Sequence, residues 1–274
     1  MNRIKSVCLF LGPYRNLTTL TASLLALHPT CQVLNHGKGE VFRDPGDNFL
    51  LNSDPAAFDR FLDVALAHSE GGQRGDRGGS ITLSHAFDHD VMRDAYQRRY
   101  GDTRVKDVVE CLVWKESLRT SNTLRKHAVD LDALFDREPR VRFLMPIRHP
   151  LDTARSNLKT GHWEIFRGLD SEPTMEAVID AVIDEIAWFL DQRVRRPDRF
   201  FCYFQDAVDA ELLAVITRFL DVAADGTWIA DALACYDVQS RYQHDPSHVA
   251  HYRAEVERRL ARHDDARGRL LGIA

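Results

Sequence analysis

Residues 6–12, Ser-Val-Cys-Leu-Phe-Leu-Gly, form an unbroken apolar run that stops at a glycine. A strand with one wet face alternates apolar and polar residues. A continuous run belongs to a strand covered on both faces, as in a parallel sheet sandwiched between helices. The chain then turns through Pro13, Tyr14, Arg15 and Asn16. It resumes at Thr18 and Thr19 as an apolar, helix-like pattern that Pro29 ends.

The same order recurs downstream. Strand-like runs are predicted over residues 80–87, 108–114, 141–148 and 199–204. Helical spacing is predicted over 54–69, with Asp54 as N-cap and Pro55 at the first helical position, and over 174–194, 210–222 and 249–263. The glycine-rich stretch 71–80 reads as a surface loop. Repeated strand-then-helix order predicts an α/β fold: three layers, with a mainly parallel sheet and helices on both faces. A chain of 274 residues can bury a large core, and no linker or repeat divides it, so residues 1–274 are expected to form a single domain.

A net charge of -5 argues against general nucleic-acid binding, whose footprint is basic. No stretch approaches the roughly 18 apolar residues of a membrane span. The short apolar run after Arg3 and Lys5 lacks a small-residue cleavage site. The five cysteines, Cys8, Cys31, Cys111, Cys202 and Cys235, are widely spaced and include no CxxC pair, as expected of free thiols in a reducing compartment. The expected location is the cytoplasm. Homo-oligomerisation is left open.

In open α/β sheets, ligands bind just beyond the carboxyl ends of the strands. The turn after the first run offers a helix N-terminus, whose free N–H groups and dipole favour an anion. Arg15 adds a planar fork of donors, and Thr18 and Thr19 add hydroxyls. The triphosphate motif GxxxxGK[ST] is absent: there is no lysine, and Leu17 stands in the turn. A second anion site is suggested by Arg-His-Pro-Leu-Asp-Thr-Ala-Arg-Ser, residues 148–156. Arg148 ends a strand there, and Ser156 follows about two helical turns on. Two anion sites on one sheet suit a nucleoside with phosphates at both ends.

The ordered pair "GPYRNLTTL…LLALHP" and "RHPLDTARSNL" resembles the sulfotransferase family, P-loop-like enzymes that use 3'-phosphoadenosine 5'-phosphosulfate (PAPS) as donor. The likeness spans residues 5–160 and extends weakly toward 222. It implies that Arg15, Asn16, Leu17, Thr18 and Thr19 hold the 5'-phosphosulfate, and that Arg148 and Ser156 hold the 3'-phosphate. "LVWKES", residues 112–117, resembles the family's strand ending in a lysine, which makes Lys115 catalytic beside Arg15. The product would be adenosine 3',5'-bisphosphate (PAP). The departures are Tyr14 for proline, Asn16 for serine, Leu17 for glycine and Ser117 for the proline of KxP.

Sulfuryl transfer to a hydroxyl or amine also needs a general base. The resemblance leaves three candidates: His36, His85 and Glu40. The acceptor, a small molecule or a glycan, is not legible. His85 and His89, and His244, His248 and His251, lack cysteine or acidic partners at ligand spacing, so no metal is expected. Trp163 and Phe166 are expected in the core or, failing that, on an acceptor pocket. The alternatives are a P-loop small-molecule kinase and a nucleotide-binding protein without turnover.

Overall fold

A computed structural model describes residues 4–37, 45–71, 79–169, 172–238 and 242–273. Glu40 and most of the glycine-rich stretch lie outside the described residues.

Five parallel strands form one sheet in the order β2-β3-β1-β4-β5. They are β1 (Ser6–Phe10), β2 (Cys31–Leu34), β3 (Cys111–Trp114), β4 (Val141–Ile147) and β5 (Phe200–Phe204). Alternate residues of β1 serve two separate cores. Val7 and Leu9 join Phe61, Trp114, Phe143, Phe189 and Phe200 on one face. Cys8 and Phe10 join Leu25, Met92, Tyr203 and Trp228 on the other. Both faces are therefore dry, which explains the unbroken apolar run.

The first core is covered by α2 (Pro55–Glu70), α4 (Ser117–Lys126), α5 (Leu131–Arg137), α6 (Pro150–Thr160), α7 (Met175–Arg195), α10 (Pro246–Arg259) and α11 (Asp264–Gly272). The second is covered by α1 (Thr18–Ala26), α3 (Asp90–Tyr100), α8 (Ala210–Phe219) and α9 (Gly226–Cys235). This is the three-layer α/β architecture expected. The caps follow the sequence: the Asp54 carboxylate accepts from Ala56 N, and Pro55 opens α2. No described helix is long and apolar enough to cross a membrane.

The fold corrects one expectation and adds a strand that none covered. Residues 80–87 are not a strand. Ile81–Leu83 and His85–Asp88 are 3-10 turns, and Ser80 makes only an isolated bridge to Leu34. Local hydroxyls explain it, because the Ser80 side chain accepts from Thr82 N at 3.3 Å and competes with a sheet ladder. The strand that occupies the edge is β2, where a buried Gln32 interrupts the apolar pattern. Its amide donates to Ser69 Oγ at 2.8 Å and Arg104 O at 2.9 Å.

Lys106 then ties α1 to β2. Its buried ammonium donates to the carbonyls of Ala26 at 2.7 Å, His28 at 2.5 Å and Cys31 at 2.5 Å. These include carbonyls that the end of α1 leaves unpaired. Burial depresses the ammonium's pKa to about 7.

Candidate active site

The turn between β1 and α1 takes a left-handed shape at two places. Arg15 has φ 63° and Leu17, which precedes α1, has φ 61°. Glycine is comfortable there, whereas leucine adopts the conformation at a cost. Leu17 therefore holds a left-handed turn that glycine would adopt without strain. Gly12 is needed for two reasons: its φ is 92°, and an added Cβ would lie 2.5 Å from Met145 Cε. No side chain caps α1, so its first-turn N–H groups face the cleft uncapped. Replacing Leu17 with glycine is expected to change stability by less than about 1 kcal/mol, since relief of strain offsets the greater freedom of the unfolded chain. Affinity of the turn for an anion should stay within about 3-fold, because the backbone supplies the donors. Chemical denaturation and calorimetric titration check both; a loss of binding would show that the leucine side chain itself is required.

Asn16 locks this turn to the second anion segment. Its amide donates to Pro146 O, and its Oδ1 accepts from Arg148 N at 2.8 Å. The side chain, fully buried, is spent on this brace, so any contact with an anion falls to its backbone N–H. Arg15 Nε donates to Ser156 Oγ at 2.9 Å. Ser156 is 2% exposed and bridges the two segments; its hydroxyl still has a proton to donate.

A cleft of about 550 Å³ opens between these segments. Arg15, Leu17, Thr18, Thr19, His36, His85, Lys115 and Arg148 all line it. The structure thus brings together residues from five separate parts of the sequence. Arg15 and Arg148 are close enough that burial, reinforced by the Arg148 charge, lowers the pKa of the Arg15 guanidinium. An anion between them would relieve that repulsion. Arg148 Nε is buried without a hydrogen-bond partner, a second sign that the site is built for an acceptor.

Beside the arginines lies a network that joins Thr19, His36 and Lys115 to Glu116, a residue that sequence reasoning missed. Because β2 and β3 are in parallel register, with Leu34 opposite Trp114, the residues just beyond them meet. Lys115 Nζ lies 3.1 Å from Thr19 Oγ1 and 3.3 Å from His36 Nε2. Glu116, 1% exposed, places Oε2 3.7 Å from His36 Nδ1. The Tyr14 hydroxyl donates to Glu116 Oε1. Burial raises the Glu116 pKa, but the His36 and Tyr14 hydrogen bonds and the His36 and Arg119 charges outweigh it and hold the carboxyl below its usual range. Burial also pushes Lys115 down to about 8, against the pull of Glu116 and with the push of Arg15. Trp114 Nε1 donates to the His36 carbonyl at 2.9 Å and fixes that backbone.

His85, itself exposed, lines the same cleft from a 3-10 turn anchored by buried Ala86 and Phe87. Phe166 is buried in the core and Trp163 packs against it, while Ile165 and His162 are the members of that segment that reach the cleft. His244 did acquire partners, His149 and Asp152, with ligand atoms all within 4.8 Å. The donor set suits hydrogen bonding better than a cation. His149 uses Nδ1 to accept from Leu151 N and Nε2 on Ile273 O, and Asp152 faces Arg148.

No family model and no curated protein matches the chain. Solved structures similar in fold are sulfotransferases. Mouse sulfotransferase SULT7A1 complexed with PAP is 10% identical, with a TM-score of 0.47 over 98% of this chain and 88% of that one. A sulfotransferase from Alicyclobacillus acidocaldarius is 14% identical, with a TM-score of 0.43 over 95% and 96%. Sulfotransferase STF9 from Mycobacterium avium is 15% identical, with a TM-score of 0.46 over 96% and 77%.

Proposed function

We propose that the chain is a single sulfotransferase-like unit that moves a sulfuryl group from PAPS to a hydroxyl or amine of a small-molecule or glycan acceptor. The observation that supports this best is the convergence of Arg15, Arg148, Lys115 and the uncapped end of α1 on one cleft. A nucleoside carrying phosphate at both ends would satisfy both arginines at once. The described lining residues include no carboxylate to hold magnesium, which speaks against a kinase. Cys8, Cys31, Cys111 and Cys202 are buried free thiols, in keeping with a reducing cytoplasm.

When bound, PAPS supplies an activated sulfuryl group on a leaving phosphate. Arg15, Lys115 and the first-turn N–H groups of α1 hold the 5' end, where negative charge grows during transfer. Arg148 and Ser156 hold the 3'-phosphate. Glu116 faces His36 Nδ1, which assigns the ring proton to that nitrogen and leaves the Nε2 lone pair to accept from Lys115 Nζ at 3.3 Å until the acceptor's hydroxyl or amine takes that place. His36 then takes the acceptor's proton at Nε2, and Glu116 stabilises the imidazolium that results.

Lys115 works as the cation. Its pKa of about 8 places the charged form below that pH, so activity is lost as pH rises through it. The expected profile of kcat/KM has an alkaline limb near pH 8, measured by initial rates. A flat profile to about pH 10 would contradict the role.

The reading is tested by thermal unfolding with PAP or with magnesium ATP. PAP should raise Tm in proportion to binding, by about 2.7 kcal/mol of stability at 100 times its Kd. A shift with magnesium ATP and none with PAP would favour the kinase.

A further inference from the structure

We infer that His244 is a positioning residue for the 3'-phosphate end of the nucleotide, acting on Arg148 through Asp152; the inference rests on the sulfotransferase reading above.

Asp152 sits in the first turn of α6 and is 1% exposed. A carboxylate that deep must be paired and hydrogen-bonded. Its partners come from different parts of the chain, one at each oxygen. Arg148 Nη2 lies 3.5 Å from Oδ2, and His244 Nε2 lies 2.8 Å from Oδ1. His244 belongs to the segment just before α10, whose N-cap is Asp245. Its ring stacks on His149, with centroids 5.6 Å apart and planes 19° apart. His149 is in turn anchored at both nitrogens, to Leu151 N at 3.2 Å and Ile273 O at 2.8 Å. The histidine pair therefore holds one face of the carboxylate in place.

The consequence falls on Arg148. A free carboxylate takes an arginine in a two-bond fork and largely neutralises it. With His244 on Oδ1, Asp152 has one oxygen left, and it meets Arg148 at a long, single contact. The guanidinium is oriented but keeps donors for another anion, including the buried, partnerless Nε. The Tyr242 ring, 5.9 Å from the guanidinium carbon, comes from the same segment as His244. Without His244, Oδ1 is free to complete the fork and draw Arg148 away from the cleft.

The test compares PAP with 5'-AMP, which lacks the 3'-phosphate, by calorimetric titration of wild-type protein, His244→Ala and His244→Gln. His244→Ala should weaken PAP binding about 10-fold, the cost of one mis-set charge-assisted hydrogen bond, and leave 5'-AMP binding within about 2-fold. His244→Gln, which offers an amide donor at similar reach, should restore PAP affinity. Equal losses for both nucleotides, or loss without rescue by glutamine, would mean a merely structural role and overturn the inference. A wild-type preference for PAP that survives in His244→Ala overturns the inference alone. Wild-type protein that binds neither nucleotide overturns the sulfotransferase reading as well.

Discussion

Replacing His36 with alanine is expected to lower kcat by about 10²–10⁴-fold, the usual worth of a positioned general base. PAP affinity should change by less than about 3-fold, because His36 faces the acceptor's proton and not the nucleotide. The geometry favours His36 over its rivals. Nε2 is 3.3 Å from Lys115 Nζ, and Nδ1 faces the Glu116 carboxylate. Under the proposed reaction the base would stand beside the cation, with a buried carboxylate behind it to fix its tautomer. His85 lines the cleft as an exposed side chain, so His85→Ala should cost less than about 3-fold in kcat. Glu116→Gln keeps the shape but removes the charge that steadies an imidazolium. It should lower kcat about as much as His36→Ala, without changing PAP binding. Initial rates at saturating donor separate the three variants. A His85→Ala variant more damaged than His36→Ala would move the base to the other histidine.

The second large effect is on binding. Arg148→Ala should weaken PAP at least about 100-fold, through loss of two charge-assisted hydrogen bonds worth roughly 1.5–3 kcal/mol each. At 100 times the wild-type Kd, ligand stabilisation then falls from about 2.7 to about 0.4 kcal/mol. Binding of 5'-AMP should be nearly unchanged. Asp152 keeps His244 as a partner, so the unliganded variant should unfold close to the wild-type temperature. Differential scanning calorimetry with and without each nucleotide reads all three values. Undiminished stabilisation by PAP would remove Arg148 from the site.

The parts of this account that are legible in the sequence are those with local causes. The apolar run of β1, the turn and the start of α1 follow from burial on both faces and from glycine. The Asp54-Pro55 opening of α2 follows from capping. What escapes has causes distant in the chain. β2 is four residues long, too short for a periodic signal, and its Gln32 is buried only because Ser69, Arg104 and Lys106 receive it. Residues 80–87 look like a strand by composition, but the Ser80 hydroxyl accepts from Thr82 N and pairs with the Thr82 hydroxyl.

Glu116 is adjacent to Lys115 in sequence, yet nothing local marks it as a partner of His36. Its meaning comes from β2 lying beside β3, which delivers His36 from 80 residues away. Leu17 is the reverse case. Sequence makes it look like a defect in the loop, and structure shows the backbone turning left-handed there regardless. His244 fits neither pattern: read as an isolated histidine it has no partner, and only the packing of α10 against α6 supplies Asp152.

The central claim is that this cleft transfers sulfate, and the most direct measurement follows the sulfate itself. Purified protein is incubated with PAPS labelled in the sulfuryl group and an extract of host small molecules and glycans, with His36→Ala and Arg148→Ala in parallel. Wild-type protein should place label on a distinct acceptor and release PAP, and the two variants should give little of either. PAP binding with no labelled product from any extract would contradict it, and would leave a nucleotide-binding protein without turnover.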